Sequence, residues 1–443
     1  MKTAEFLAKA AKTYSLMVAT ERAIPKVTDG LKDGQRIALW IMRNRSKTKV
    51  AAISGAMVES NLFLHGSADG LISGLAGPFV NNVPILDGDG NFGSLLDKNA
   101  FGAGRYIYAE RSKFMDNVIL ADKELWEMVP SVDGDAEMCK EFLPLFPTVL
   151  LNGVSGVAVG WSTEILPHDP KELIKATKAV LTGKKTKKLM PKYLPFEKIK
   201  IEEIDNGRTD ADSYILSGTV EIKNTSTVEI TSLPPNVSVE KVQEHLDKLE
   251  EAKKITSYEN HTAGDIRIVV KMSRNDLAGM TEEDLVKLFK ISERITQRLV
   301  VVDFCGTKIR VFNNTEELIE AWVEWRFPLL KKRYEKMIEK IEKEIGFLEA
   351  IIILSDSGFS KKLSGFKSRN DVIDYINSKV KVSSEDCSRL AGLPSYRWTV
   401  EEIDKTRKEH EFKIEELNGY IQISESETEL KNVWIKDLDA IKF

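Results

Sequence analysis

In the last third of the chain, residues recur at alternating intervals of four and three: Tyr334, Ile338, Ile341, Ile345, Leu348 and Ile352. That heptad spacing lays one apolar seam along a long helix. About fifty residues later, Ile403, Arg407, His410, Ile414, Leu417 and Ile421 repeat it. Two such helices suggest an antiparallel coiled coil with a small globular insert at its tip, at about 355–398. The insert holds a short helix over Asn370–Ser378 and the loop Gly392-Leu393-Pro394. Polar Arg407 and His410 weaken the second seam, and an ordinary helical bundle stays open as the alternative.

The remainder must fold differently, because 443 residues exceed what one hydrophobic core organises. Residues from about 35 to 62 read as helix, basic turn, helix: Gln35 to Arg43, Asn44–Lys49, then Val50 to Val58. Residues 70 to 104 are rich in glycine, so the backbone there bends tightly or comes close to something. A second glycine-punctuated stretch covers Leu150 to Gly160. From about 195 to 300 the texture is α+β. Thr219–Ile222, Thr227–Ile230 and Asp265–Val270 read as strands, and Val239–Glu251 and Glu282–Phe289 as helices.

The formal net charge is -4, yet residues 1–50 carry eleven basic and four acidic side chains. A local basic field can hold phosphate on an acidic chain, although a solvated helix face explains the same pattern. Cys139, Cys305 and Cys387 are far apart and odd in number, which argues against a disulfide framework and fits a reducing compartment. No apolar run is long enough to span a bilayer, and the N-terminus lacks a signal-peptide block, so no membrane partner is expected.

The sharpest chemical signal is Gly102-Ala103-Gly104-Arg105-Tyr106-Ile107-Tyr108. A tyrosine can attack phosphorus and form a covalent intermediate. Phenols ordinarily ionise near pH 10, so such a nucleophile needs help at neutral pH. A neighbouring guanidinium supplies it by stabilising charge on phenolate or phosphoryl oxygens. Most tyrosines are structural, and the local pattern alone leaves that reading open. Tyr108 would share a strand face with Tyr106 but not a helix face. Asp87-Gly88-Asp89-Gly90-Asn91 fails as a calcium loop, because Phe92 and Lys98 stand where glycine and glutamate are required. The histidines show no metal-site pairing, and no phosphate-binding loop for ATP is present.

Taken together, the motifs resemble the breakage-reunion subunit of type IIA DNA topoisomerases, the class of gyrase A and its topoisomerase IV counterpart. Arg22-Ala23-Ile24-Pro25 and Asp29-Gly30-Leu31-Lys32 with Gln35-Arg36 match the opening signature. His65-Gly66, Gly90-Asn91-Phe92-Gly93, Arg105-Tyr106 with Glu110-Arg111, Leu151-Asn152-Gly153 through Gly160, and Leu233-Pro234-Pro235 follow in family order. The resemblance covers nearly the whole chain. The short chain without a DNA-wrapping segment looks most like the bacteriophage members. Four departures concern contact details. Asp33 stands where the family usually has proline, Phe63 where gyrase-like members have a second histidine, Val157 where they have isoleucine, and Gln35 follows the eukaryotic branch.

The resemblance implies an α+β multidomain fold. Residues 1–160 would form a winged-helix DNA-cleavage domain, 161–315 an α+β tower domain, and 316–443 the coiled coil with a helical exit-gate insert that dimerises the chain. Tyr106 would become linked to the 5′-phosphate of a cut strand, assisted by Arg105, Arg22 and His65. Lys32, Arg36 and Lys49 would hold backbone phosphates, and Val157 would wedge into a base step. No metal ligand is expected on this chain. Mg²⁺ and ATP would be bound by a separate TOPRIM/ATPase subunit, without which the chain would be inert. The holoenzyme would relax and decatenate duplex DNA in the cytoplasm, the host's if the chain is phage-encoded. The rival reading is a non-enzymatic architectural DNA binder dimerised by its coiled coil. A tyrosine recombinase would instead carry its tyrosine near the C-terminus.

Overall fold

The structure, a computed structural model, describes residues 3–63, 66–131, 134–208 and 211–443. These form two compact units: Met1–Arg326 with Asp437–Phe443, and Phe327–Lys436.

In the first unit, helix α1 (Thr3–Val18) runs into one π-helical turn, Ala19–Ala23, closed by the Ile24 N–H donating to the Ala19 carbonyl. Helix α2 (Asp33–Met42) begins where the Gln35 side chain accepts the Lys32 N–H at 3.0 Å. A basic turn leads through strand β1 (Thr48–Lys49) into helix α3 (Val50–Glu59). The Ser54 hydroxyl accepts the Ala68 N–H at 2.8 Å and docks the start of helix α4 (Asp69–Ala76) onto α3. Strands β2 (Leu86–Asp89) and β3 (Tyr108–Arg111) complete an antiparallel sheet in the order β1-β3-β2. Two hairpins follow, β4 (Met128–Pro130) with β5 (Glu137–Cys139), and β6 (Val154–Ala158) with β7 (Trp161–Ile165). Helix α5 (Pro170–Leu181) has proline at its first position and Asp169 accepting the Lys171 N–H.

The α+β stretch supplies β8 (Lys200–Ile204), β9 (Asp212–Ser217), β10 (Val220–Asn224), β11 (Thr227–Ile230), α6 (Val239–Glu251), β12 (Ser257–Asn260), β13 (Ile268–Lys271), α7 (Arg274–Leu277), α8 (Glu282–Phe289) and β14 (Ser292–Gln297). They make two antiparallel sheets, ordered β10-β11-β13-β12 and β14-β9-β8. Alternate residues Val228, Ile230, Ile268 and Val270 face Val242 and Leu246 of α6 and Leu285 and Phe289 of α8. Strands β10 and β13 start one and three residues later than the sequence suggests. The hairpin β15 (Leu299–Val302) and β16 (Ile309–Phe312) returns to the beginning of the chain, with Val300 and Val302 packed on Ala19, Ala23 and Ile24.

His168 is fully buried in this unit. Its Nδ1 bonds the Leu150 carbonyl at 3.1 Å, and Nε2 has no partner. Burial, only partly opposed by backbone carbonyls, lowers its pKa to about 4. The unfolded chain takes up this proton near pH 6.5 and the folded one does not. Stability is therefore full above about pH 6.5 and falls as pH drops toward 4, by about 3 kcal/mol from this group. Denaturant midpoints against pH check it: His168→Gln is expected to flatten the slope over that window, and an unchanged slope would contradict the assignment.

The second unit takes helix α9 (Thr315–Asp356, 42 residues) from Phe327 onward. Short helix α10 (Phe359–Lys362), α11 (Arg369–Lys379) and α12 (Ser384–Ala391) follow, then α13 (Val400–Glu425) and the start of α14 (Glu427–Asp439). Helices α9 and α13 run antiparallel. The Tyr334 ring lies 5.9 Å from Tyr420, Glu344 pairs with Lys413 at 3.0 Å, and Asp356 pairs with Arg407 at 2.6 Å. The second seam holds in part and widens: Ile403 is buried and His410, Leu417 and Ile421 half-buried, Arg407 reaches α9 only through its ion pair, Ile414 is exposed, and Thr406, Lys413 and Tyr420 join the packed face. Thr406 can be buried because its hydroxyl bonds the Glu402 carbonyl in its own helix. Between the long helices, Phe359 stacks on Tyr375 and meets Trp398 edge-on at 4.7 Å, over Ile376, Cys387 and Leu390. The expected helix at Asn370–Ser378 is present as α11, and α12 was not foreseen.

Candidate functional site

Tyr106 lies in a tight turn just before β3, held by its N–H bonding the Ala103 carbonyl at 2.8 Å. The turn is seated on the first residues of α3, where the Val50 and Ala51 N–H groups donate to the Ile107 and Gly104 carbonyls, both at 3.0 Å. Two N–H groups that a helix start leaves unpaired thus fix the loop. Gly104 lets the turn sit close: a Cβ there would make the Asp69 carboxylate, 2.4 Å away, turn aside and would lie 3.2 Å from the Ala51 nitrogen. Ile107 is buried, so its neighbour Tyr106 points outward, 69% exposed. The Arg105 guanidinium lies 4.7 Å from the Tyr106 ring centre, within cation–π range. Lys49 is exposed at the cap of α3, on the same platform.

A second cluster gathers around the β6–β7 hairpin. Val157 is 83% exposed near its tip, and Val159 two residues on is also exposed. Ala158, between them, turns inward onto Ala19, Ala23 and Ile24. Gly156 touches the π-helical turn that carries Arg22, and a Cβ at 156 would lie 2.1 Å from the Ala23 carbonyl oxygen. Lys32 donates to the Ser155 carbonyl at 2.6 Å. Burial pushes its ammonium down and the Glu164 carboxylate partly restores it. The structure therefore brings Arg22, Lys32 and Val157 together through the hairpin, and Lys49, Arg105 and Tyr106 through α3. Gly156→Ala is expected to force the hairpin off its seat and to cost about 1–3 kcal/mol. A thermal melt reads this directly, and an unchanged melting temperature would contradict it.

Arg36 has a different place from the phosphate contact expected of it. Its guanidinium is fully buried, with Nε and Nη2 on the two oxygens of Asp29 at 2.7 and 3.0 Å, Nη2 also on the Leu31 carbonyl, and Nη1 on Asp33. Asp29 is itself buried and also accepts the Leu31 and Phe142 N–H groups. Burial alone would lower the Arg36 pKa, but Asp29 beside it holds it well above the ordinary value. No donor is left facing outward, so Arg36 frames the site rather than touching a ligand. His65 lies outside the described residues.

Lys47 and Asp69, neighbours of the tyrosine loop, were not singled out from the sequence. Lys47, just before β1, and Lys49, its second residue, each hold their ammonium group 5.8 Å from the Tyr108 ring, and Lys47 pairs with Asp89 at 2.6 Å. Asp69 abuts Gly104. Both depend on sheet register and helix docking, which spacing along the chain does not reveal. Among the described residues no group of three or more His, Cys, Asp or Glu side chains could hold a metal ion. No described helix is long and apolar enough to cross a membrane.

The comparisons with known proteins bear on this arrangement. Residues 22–439 match the family model for the A subunits of DNA gyrase/topoisomerase IV. The chain belongs to that family. It is 32% identical over 449 residues to the DNA topoisomerase medium subunit of Enterobacteria phage T4, covering 98% of this chain and 97% of the relative. It is 29% identical to DNA topoisomerase 2 of Caenorhabditis elegans, over 95% of this chain but only 27% of that longer protein. Its fold matches the DNA-binding, cleavage and re-ligation domain of Plasmodium falciparum topoisomerase II with a TM-score of 0.84 at 23% identity, over 96% of this chain and 62% of that one. The chain is thus a DNA-cleaving subunit of a type II DNA topoisomerase, an isomerase, and the architectural-binder reading gives way.

Proposed function

We propose that Tyr106 is the nucleophile of this subunit. The observation that carries the proposal is the exposed Arg105–Tyr106 turn, bonded onto the start of α3 and shaped by Gly104. The phenolic oxygen attacks the scissile phosphorus and becomes bonded to the 5′-phosphate, while the bond to the 3′-oxygen breaks and that oxygen leaves as a hydroxyl. Arg105, with Arg22 and His65, stabilises charge on the phosphoryl oxygens. Lys32 and Lys49 hold neighbouring phosphates, and Val157 enters a base step and bends the duplex. In this reading α2, α3, α4 and the β1-β3-β2 sheet work as a winged-helix domain within residues 1–160. Residues 161–315 are the tower, and 316–443 a coiled coil with an exit gate at about 355–398.

Two copies are needed to cut both strands, and the insert is the dimer contact in this proposal. Tyr396 and Val400, exposed beside the buried Trp398, support it. Among the described residues no carboxylate cluster offers Mg²⁺ a site. The carboxylates near the tyrosine, Asp69 and Asp89, form no ligand cluster, and Asp89 is taken by Lys47. Mg²⁺ and ATP are assigned to a separate TOPRIM/ATPase subunit. The holoenzyme relaxes and decatenates double-stranded DNA, in the cytoplasm. Plasmid relaxation tests the division of labour. The isolated chain is expected to be inert, and the chain with its partner subunit, Mg²⁺ and ATP active. Relaxation by the chain alone, or ATP-driven introduction of negative supercoils by the assembly, would contradict it.

A further inference from the structure

The segment that leads to Tyr106 is tied at a second place. Between β2 and the tyrosine turn, the chain leaves as a narrow loop. Phe92 bridges Phe101, and the Gly102 N–H donates to the Asn91 carbonyl at 3.0 Å, which closes the neck four residues before Tyr106. The far end is compact, with the Asp97 side chain and carbonyl accepting the Asn99 and Ser94 N–H groups. That end reaches the α+β module. Leu95 packs on the module's core, and Lys98 Nζ donates to Asn236 Oδ1 at 2.7 Å. Asn236 in turn donates its backbone N–H and side-chain Nδ2 to the two oxygens of Glu293, at 3.2 and 3.0 Å. Glu293 is held in β14, paired with Leu216 of β9.

The surroundings of this chain of bonds are open. A cleft of about 240 Å³ lies between the loop and residues Leu233–Ser238. Another of about 230 Å³ is lined by Lys98, Asn236, Glu164 and Tyr193. Besides the Leu95 contact, the loop and the module thus meet through a polar tie set between two clefts. Lys98 is only half exposed, and burial pushes its ammonium down while Glu293 and Glu164 partly restore it.

We propose that Lys98 and Asn236 are positioning residues for strand cleavage, tying the Tyr106 loop to the α+β module through Glu293. The inference rests on Tyr106 being the nucleophile. Displacement at phosphorus demands in-line placement within a fraction of an ångström, so a loop tied at one end only would lose rate before it lost binding. Duplex lying across the module would then set the tyrosine as well as hold the DNA.

The test uses the assembled holoenzyme with Mg²⁺, and reads covalent DNA-linked protein, DNA affinity at several salt concentrations, and melting temperature. Lys98→Ala and Asn236→Ala are each expected to slow adduct formation about tenfold, with affinity within about twofold and melting unchanged. Lys98→Arg is expected to restore most of the rate, and the double variant to be no worse than either single one, as for two members of one tie. Unchanged cleavage, or fully additive losses, would overturn the proposal. So would weaker binding with a shallower salt dependence, which would make Lys98 a phosphate contact. If the unsubstituted holoenzyme forms no adduct on Tyr106, the nucleophile assignment fails. If it does and the variants cleave equally, this inference alone fails.

Discussion

Tyr106→Phe is expected to abolish covalent attachment to DNA, lowering cleavage by at least about ten-thousand-fold, as removal of a covalent nucleophile does elsewhere. DNA affinity should stay within about twofold. The ring that lies beside Arg105 is retained, and the phosphate and wedge residues are untouched. The turn is held by backbone bonds from Ala103, Val50 and Ala51, none of which involves the phenol. Melting should therefore be unchanged. Gel separation of cleaved, protein-linked DNA and a filter-binding titration measure the two quantities. Equal loss of binding and cleavage would show that the phenol holds DNA rather than attacks it.

Arg36→Ala is expected to act on stability instead, by about 3–5 kcal/mol, because it leaves the buried Asp29 carboxylate without its cation. Asp29 would retain only the Leu31 and Phe142 N–H groups. Its site sits where α2 meets the segment after β5 that brings in Phe142, so the loss loosens the frame beneath Lys32. Denaturant unfolding reads the cost. The folded fraction should bind DNA with its ordinary salt dependence. A variant of ordinary stability but weakened DNA binding would restore Arg36 to the phosphate contacts.

Arg36 also shows where sequence reasoning runs out. A basic residue in a basic segment, two positions after Gly34 and three after Asp33, looks the same whether it faces phosphate or a buried carboxylate. Only the fold of Asp29 back onto α2 separates the two. The helix pair behaves similarly. Tyr334, Ile341 and Leu348 announce their seam because apolar side chains line it. On α13 the packed face also takes in Thr406, Lys413 and Tyr420, which an apolar count passes over, and leaves out Ile414, which such a count includes. In contrast, α6 and α8 have the bounds read from the sequence, since their capping residues Ser238 and Thr281 and their apolar faces agree. Gly102, Gly104, Arg105 and Tyr106 draw notice in the sequence, but their local pattern leaves a structural tyrosine open, and only the motifs in family order single it out. The turn's seating on α3, the Lys47–Tyr108–Lys49 grouping and the Lys98 tie were not legible, because each joins segments distant in sequence.

The most direct test of the central claim is to identify the residue that carries DNA. The chain, its partner subunits, Mg²⁺ and end-labelled duplex are mixed and denatured rapidly, and the DNA-linked peptide is mapped by mass spectrometry. The account predicts a 5′-phosphate bonded to Tyr106. An adduct on Tyr108 would contradict the assignment while keeping the reaction, and no adduct in an assembly that binds DNA would contradict both.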